Sequence, residues 1–276
     1  MRLKPGITLE HAQEELRQAL NLLTNAQSGQ RYESPWQSYV IAVDQALPHL
    51  AVFTEPDLAS GLLSPTYWHL LPVAGMGPEA GRVVYRELRT QIATLELAEE
   101  ELLQLKQYAE RPGVPVVLDT NILNWWEQPH TINWRQLFKD EGIDASSARL
   151  VVPLVVIEEL DRQKYGAGLL AKRAATAIRY LDQKLTGITP GEPVKLTDNA
   201  TLEVSLGTRH GQPGTEADTA ILTCAADLNQ LLPDAGTRVL TDDTNMRLRA
   251  AHMGLQTLRL PERHRKPGTA MSDTEP

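Results

Sequence analysis

A single break, Arg111-Pro112-Gly113, separates two stretches of the chain that follow different periods. Proline cannot extend a helix, and glycine readily ends one. Before the break, apolar residues recur with a helical period. After it, short β-branched runs alternate with helical segments. Alternation of this kind over ~150 residues implies a mostly parallel sheet with helices on both faces. The chain is therefore expected to carry an all-helical N-terminal domain over residues 1–113 and an α/β domain over 114–261. The polar, Pro-containing stretch 262–276 reads as a flexible tail.

In the first stretch, ITLEHAQEELRQALNLL places Leu9, Ala12, Leu16, Ala19, Leu20 and Leu23 on one helical face, with Thr8 as N-cap. A second helix is expected over 35–46, a third ahead of Ser60-Gly61, and a long one over 78–110. Leu88, Leu95 and Leu102 repeat at seven residues. That spacing suits a seam inside a helical bundle; the sharper alternative is a homodimer contact. After the break, strands are expected at 114–118, 150–152, 238–241 and 256–260. Helices are expected at 133–140, 153–164, 169–185, 215–232 and 244–252. Thr197-Asp198-Asn199-Ala200 reads as the turn of a hairpin.

Hydrophobic residues make up 42% of the 276, enough for a core, so wholesale disorder is excluded. The one cysteine, Cys224, excludes a disulfide framework and any multi-cysteine zinc site; on its apolar helix face it reads as core. No apolar run is long enough to span a membrane, and the N-terminus turns charged where a signal peptide needs its apolar stretch. A cytoplasmic location with no membrane partner is expected. The seven histidines make no metal spacing, and no G-x-S-x-G occurs. The run from Ala74 to Gly81 matches G-x-G-x-x-A, but no βαβ context surrounds it, so it reads as a turn.

Carboxylates gather where ligands bind on parallel sheets, at the carboxyl ends of strands. Asp119 follows the first expected strand, and Asp242 and Asp243 follow a later one. Glu158, Glu159 and Asp161 lie on the helix after the second strand, and Asp218 lies at the start of another helix. Taken singly, these have plain structural roles: Asp218 and Asp242 as helix caps, Glu158 and Asp161 as solvated face residues. Taken together, they would repel one another unless a cation joined them. Hard divalent ions such as Mg²⁺ or Mn²⁺ prefer oxygen ligands, lower the pKa of a bound water and neutralise phosphoryl charge. The pattern thus points to phosphodiester hydrolysis with a metal-bound water as nucleophile.

Four segments in order, LDTN (118–121), VPLVVIEELDRQK (152–164), EADTAILTCA (216–225) and VLTDDTNMRLRA (239–250), resemble the acidic motifs of the PIN-domain nucleases. The resemblance spans about residues 114–260. It is closest to PIN domains of RNA-surveillance endonucleases and of longer bacterial PIN proteins. It implies a PIN-like three-layer α/β/α sandwich whose acidic cluster binds Mg²⁺ or Mn²⁺ and cleaves single-stranded RNA, leaving 3′-OH and 5′-phosphate ends. Position by position, it implies Asp119, Glu159 and Asp218 as the catalytic, metal-binding acids of the first three motifs. Asp242 and Asp243 both fall in the fourth. Asn121, Thr241 and the Asn245 of T-D-D-x-N fall at supporting polar positions. Glu158 would point away, since adjacent helix residues diverge by about 100°. The chain departs from the pattern in a long stretch at 124–149 and an extended region at 187–213.

Arg162, Lys164, Arg247 and Arg249 are the candidate nucleic-acid contacts, with Lys172, Arg173 and Arg179 nearby. Trp125 and Trp126 suit base stacking, though paired tryptophans after a strand more commonly build core. The net charge of -8 argues at first against a nucleic-acid partner. Residues 114–276 hold 18 Lys+Arg against 21 Asp+Glu; setting aside the five cluster acids leaves 16, so the remainder is slightly basic. The expected function is a metal-dependent endoribonuclease. The alternatives are an RNA-binding or protein-interaction module with little turnover, and a structure-specific DNA nuclease, for which the further acids and helical clamp are missing. The helical domain is a candidate docking element for a protein partner.

Overall fold

The computed structural model describes residues 3–28, 34–54, 57–70, 77–188, 192–205 and 216–267. It divides into two compact units, Met1–Glu110 and Arg111–Pro276. Residues 111–113, expected with the helical half, belong to the second unit. Arg111 pairs with Glu203 at 2.7 Å, and Gly113 adopts φ 101° with Ser147 and Ala148 backbone 3.2 Å from where a Cβ would stand. Any side chain at 113 would crowd that backbone.

The first unit contains α1 (Leu9–Gln27), α2 (Pro35–Leu50), α3 (Asp57–Leu62), α4 (Pro65–Leu70) and α5 (Gly77–Ala109). Thr8 caps α1 by accepting from the His11 amide, an interaction contributing about 1 kcal/mol. The apolar face read from the sequence is buried at Leu9, Ala12, Leu16, Ala19 and Leu23, and α1 packs on α2 and α5. Leu88, Leu95 and Leu102 of α5 are all buried within this unit. The heptad is thus a seam of the bundle itself. Two expectations are corrected here: α3 runs through Ser60-Gly61 instead of stopping ahead of it, and α4 was not anticipated. Both helices have six residues, too few to display a period. The glycine-rich run from Ala74 lies outside the described residues up to Met76, and α5 opens at Gly77.

The second unit is a three-layer α/β/α sandwich. Among the described residues its six strands are β1 (Val114–Leu118), β2 (Ala148–Pro153), β3 (Val194–Thr197), β4 (Ala200–Ser205), β5 (Arg238–Leu240) and β6 (Gln256–Leu258). They lie in the order β3-β4-β2-β1-β5-β6, all neighbours parallel except the β3–β4 hairpin at the edge. The helices are α6 (Thr120–Trp125), α7 (Trp134–Asp140), α8 (Leu154–Gln163), α9 (Gly168–Leu185), α10 (Ala217–Leu231) and α11 (Thr244–His252). Every residue of β1 and β2 is buried, as befits central parallel strands. Chain connections run from β1 to β2 on one side and return to β5 on the other. The crevice between the ends of β1 and β5 is therefore a topological switch point.

Several details depart from the sequence reading. The stretch 124–149 contains α6's last turn, a 3₁₀ turn at Pro129–Thr131 and α7, with Trp126, Trp134 and Phe138 buried. Trp125 lies under the Arg173 guanidinium at 4.3 Å, and Arg173 also donates to the Pro267 carbonyl at 2.9 Å. Trp126 and Arg173 are thus structural. Residues 262–267 are not a loose tail. Arg265 bridges to Trp126, the Glu127 amide donates to the His264 carbonyl, and the Lys266 ammonium donates to the carbonyls of Leu123 and Asn124. Backbone pairing and a half-buried cation tie the segment down; residues 268–276 lie outside the described set, as do 189–191 and 206–215 of the extended region. Glu203 and Arg149 form a fully buried ion pair at 2.6 Å between β4 and β2. Among the described residues no helix is long and apolar enough to cross a membrane.

Candidate active site

Asp119 sits at the end of β1 as the N-cap of α6, accepting from the Asn121 amide at 3.4 Å. It is only 3% exposed. Across the switch point, Thr241 follows β5, is fully buried and donates its hydroxyl to Asp119 at 2.7 Å. The same hydroxyl oxygen accepts from the Asp243 amide at 3.1 Å. Asp243 in turn caps α11 by accepting from the Met246 amide at 3.1 Å. The supporting position at 121 therefore acts through its backbone amide, and that at 241 through its side chain. Asn245 is exposed on the first turn of α11.

Glu159 enters from α8. Thr120, the first residue of α6 and 2% exposed, donates to one of its oxygens at 2.6 Å, and Gln163 donates to the other at 3.1 Å. Asn124 donates to the Gln163 oxygen at 2.7 Å. Asp218 enters from the first turn of α10. Arg249 of α11 lies 3.5 Å from it and 3.7 Å from Glu216, and donates to the Thr219 hydroxyl at 2.6 Å. Glu158 is exposed, one residue round the helix from Glu159.

Electrostatics ties these acids together. Burial pushes the Asp119 carboxyl up to about 6; the hydrogen bonds from Thr241 and the Asn121 amide oppose that push, and the charges of Asp218 and Glu159 add to it. Asp218 is raised by burial, opposed by Arg249 and reinforced by Asp243, Glu159 and Glu216. The charge of Asp243 thus reaches Asp218. Asp242 points elsewhere, accepting from Arg259 at 2.9 Å. Asp119, Glu159 and Asp218 thus lie within electrostatic reach of one another, and Asp243 joins them through Asp218.

The donor chemistry, all carboxylate oxygen, fits a hard divalent cation. As the side chains stand, no three Asp, Glu, His or Cys side chains among the described residues are grouped tightly enough to grip an ion. The hydrogen bonds account for this, because each acid is held by its own partner: Glu159 by Thr120 and Gln163, Asp218 by Arg249, Asp243 by its helix.

The expected phosphate contacts are placed variously. Arg162 is exposed. Lys164 pairs with Asp161. Arg247 folds back on Thr244 at 3.0 Å. Arg249 is engaged with Asp218 and Glu216. Thr120, Asn124 and Gln163 had not been singled out from the sequence. Their only sequence signal is spacing: Thr120 and Asn124, like Glu159 and Gln163, stand four residues apart.

A sequence profile of the PIN domain matches residues 116–260, just over half of the chain. The chain belongs to the PIN-domain family, whose members are generally nucleases. Among solved structures, a domain of a functionally unknown protein from Methanocaldococcus jannaschii DSM 2661 is 17% identical, with 58% of this chain and 100% of that chain covered and a TM-score of 0.35. No curated protein matches the chain.

Proposed function

We propose that this protein is a divalent-metal-dependent endoribonuclease acting on single-stranded RNA. One observation carries the reading. Asp119, at the β1/β5 switch point, is buried and raised to about 6, and feels the charges of Asp218 and Glu159 from two other elements, while Asp243 adds its charge at Asp218. A fold seldom retains such a cluster without a ligand to stabilise it. Asp119, Glu159, Asp218 and Asp243 would hold Mg²⁺ or Mn²⁺, with Asp242 outside the set. The ion supplies water activation and neutralisation of phosphoryl charge.

The chain's own groups do the rest. Thr241 and the Asn121 amide hold Asp119 by both oxygens, so its direction is set before substrate arrives. Thr120 and Gln163 do the same for Glu159. Arg162, exposed on the helix α8 that carries Glu159, and Arg249, once released from Asp218, would meet phosphate oxygens. Asp119→Asn should abolish Mn²⁺-dependent cleavage of a labelled single-stranded RNA; unchanged cleavage would overturn the reading.

A second reading, a nucleic-acid-binding module without turnover, is favoured by the Arg249–Asp218 contact, which already supplies one acid with a cation. It predicts RNA binding in chelator with no Mn²⁺-dependent product.

A further inference from the structure

We propose that Asn124 and Gln163 are positioning residues that set the direction of the Glu159 carboxylate. The inference rests on the nuclease reading above and names side chains that the acidic motifs do not include. Thr120 and Asn124 share one face of α6, and Glu159 and Gln163 share one face of α8, because residues four apart are helical neighbours. The two faces meet. Thr120 holds one Glu159 oxygen at 2.6 Å and Gln163 the other at 3.1 Å.

The Gln163 amide works in one orientation. Asn124 donates its NH₂ to the Gln163 oxygen at 2.7 Å, which leaves the Gln163 NH₂ to face Glu159. Reversed, Gln163 would set oxygen against carboxylate and NH₂ against NH₂. Asn124 is fully buried, a position a leucine would fill, and its side-chain oxygen meets no donor. The donation to Gln163 is therefore what this amide contributes. The end of α6 is itself anchored, since Lys266 donates to the carbonyls of Leu123 and Asn124 at 2.8 and 3.2 Å. Each Glu159 oxygen keeps a second lone pair for a ligand. A carboxylate already held by neutral donors loses less freedom when it binds an ion, and removing such outer partners typically costs about 10–100-fold in metal affinity or activity.

The test uses the full chain, with Mn²⁺ titrated by calorimetry and kcat and KM measured on a labelled single-stranded RNA. Gln163→Ala should weaken Mn²⁺ binding about tenfold or more and lower kcat with KM unchanged. Asn124→Asp should do the same, because a carboxylate at 124 accepts from the Gln163 NH₂ and draws it away from Glu159. In the Gln163→Ala background, Asn124→Asp should add nothing. Wild-type Mn²⁺ affinity and kcat in Gln163→Ala, or additive losses in the double variant, would overturn the proposal. The pairing is also read without metal, from the side-chain amide resonances of ¹⁵N-glutamine-labelled protein. Asn124→Asp and Glu159→Gln should both shift the Gln163 NH₂ signals; unmoved signals would overturn the proposal whatever the activity. If wild type neither binds Mn²⁺ nor cleaves RNA while those signals do shift, the nuclease reading falls and the Asn124–Gln163–Glu159 pairing stands.

Discussion

Arg249 lies against Asp218, its guanidinium 3.5 Å from the carboxylate, although the two residues sit on different helices. The Asp218 carboxylate also feels the charges of Asp243 and Glu159. A divalent ion drawn to these acids would have to compete with the guanidinium. Arg249→Gln should therefore bind Mn²⁺ more tightly, by about two- to fivefold, the range for a partly exposed ion pair worth up to ~1 kcal/mol. Calorimetric titration measures this directly, and weaker binding by the variant would show that Arg249 helps to build the site.

The buried charge of Asp119 costs stability. Its carboxyl is raised from 3.8 to about 6, so between those values the folded chain binds more protons than the unfolded one. Stability then falls as pH rises through that window, and the full cost is present above about pH 6. A shift of this size corresponds to roughly 3 kcal/mol. Asp119→Asn removes the charge and should raise unfolding stability in chelator at pH 8 by up to that amount. Urea unfolding at pH 8 and pH 5 should show the gain shrinking on acidification. An equal gain at both pH values would refute the electrostatic origin.

Thr241→Val keeps the shape of a fully buried side chain and removes its hydroxyl. Asp119 loses a donor and the Asp243 amide loses an acceptor. A loss of about 1–3 kcal/mol is expected at pH 8, where Asp119 is charged, and a smaller loss at pH 5. Chemical denaturation at the two pH values separates this from simple repacking, which would not depend on pH.

Asp242 and Asp243 are adjacent but should not behave alike. Asp243→Asn retains a good helix cap, so stability should change by only a few tenths of a kcal/mol while cleavage falls by at least about tenfold. Asp242→Asn loses only the exposed contact with Arg259 and should stay within about twofold of wild type. Single-turnover cleavage assays distinguish them, and a reversed order would move the site to Asp242.

Much of this molecule is legible locally. The break at Arg111-Pro112-Gly113, the strand at Val114–Leu118 and the N-cap Thr8 follow from residues close together in the chain, whereas the cap of α11 is Asp243 and not the expected Asp242. The presence of acids at strand ends also follows locally, since a strand followed by Asp is a local pattern. The six-residue helices α4 and α6 give no sequence signal, and the end of α3 is misplaced, because all three are shorter than two turns. The tie holding 262–267 gives no signal either, because nothing in a polar, Pro-containing segment announces that Lys266 will reach the carbonyls of Leu123 and Asn124.

Periodicity and motif spacing establish the α/β alternation and the helical first half, and the motif resemblance singles out Asp119, Glu159 and Asp218 as candidates. They could not choose between Asp242 and Asp243, which occupy the same loop and carry the same charge. In the fold the two part ways: Asp243 caps α11 beside Thr241, and Asp242 pairs with Arg259. Nor could they pair Arg249 with Asp218, Thr120 and Gln163 with Glu159, or Arg149 with Glu203. Hydrophobic period reports which face of an element is buried. Which polar side chains meet across two elements depends on strand register and helix packing, and these arise only when β1 is set between β2 and β5.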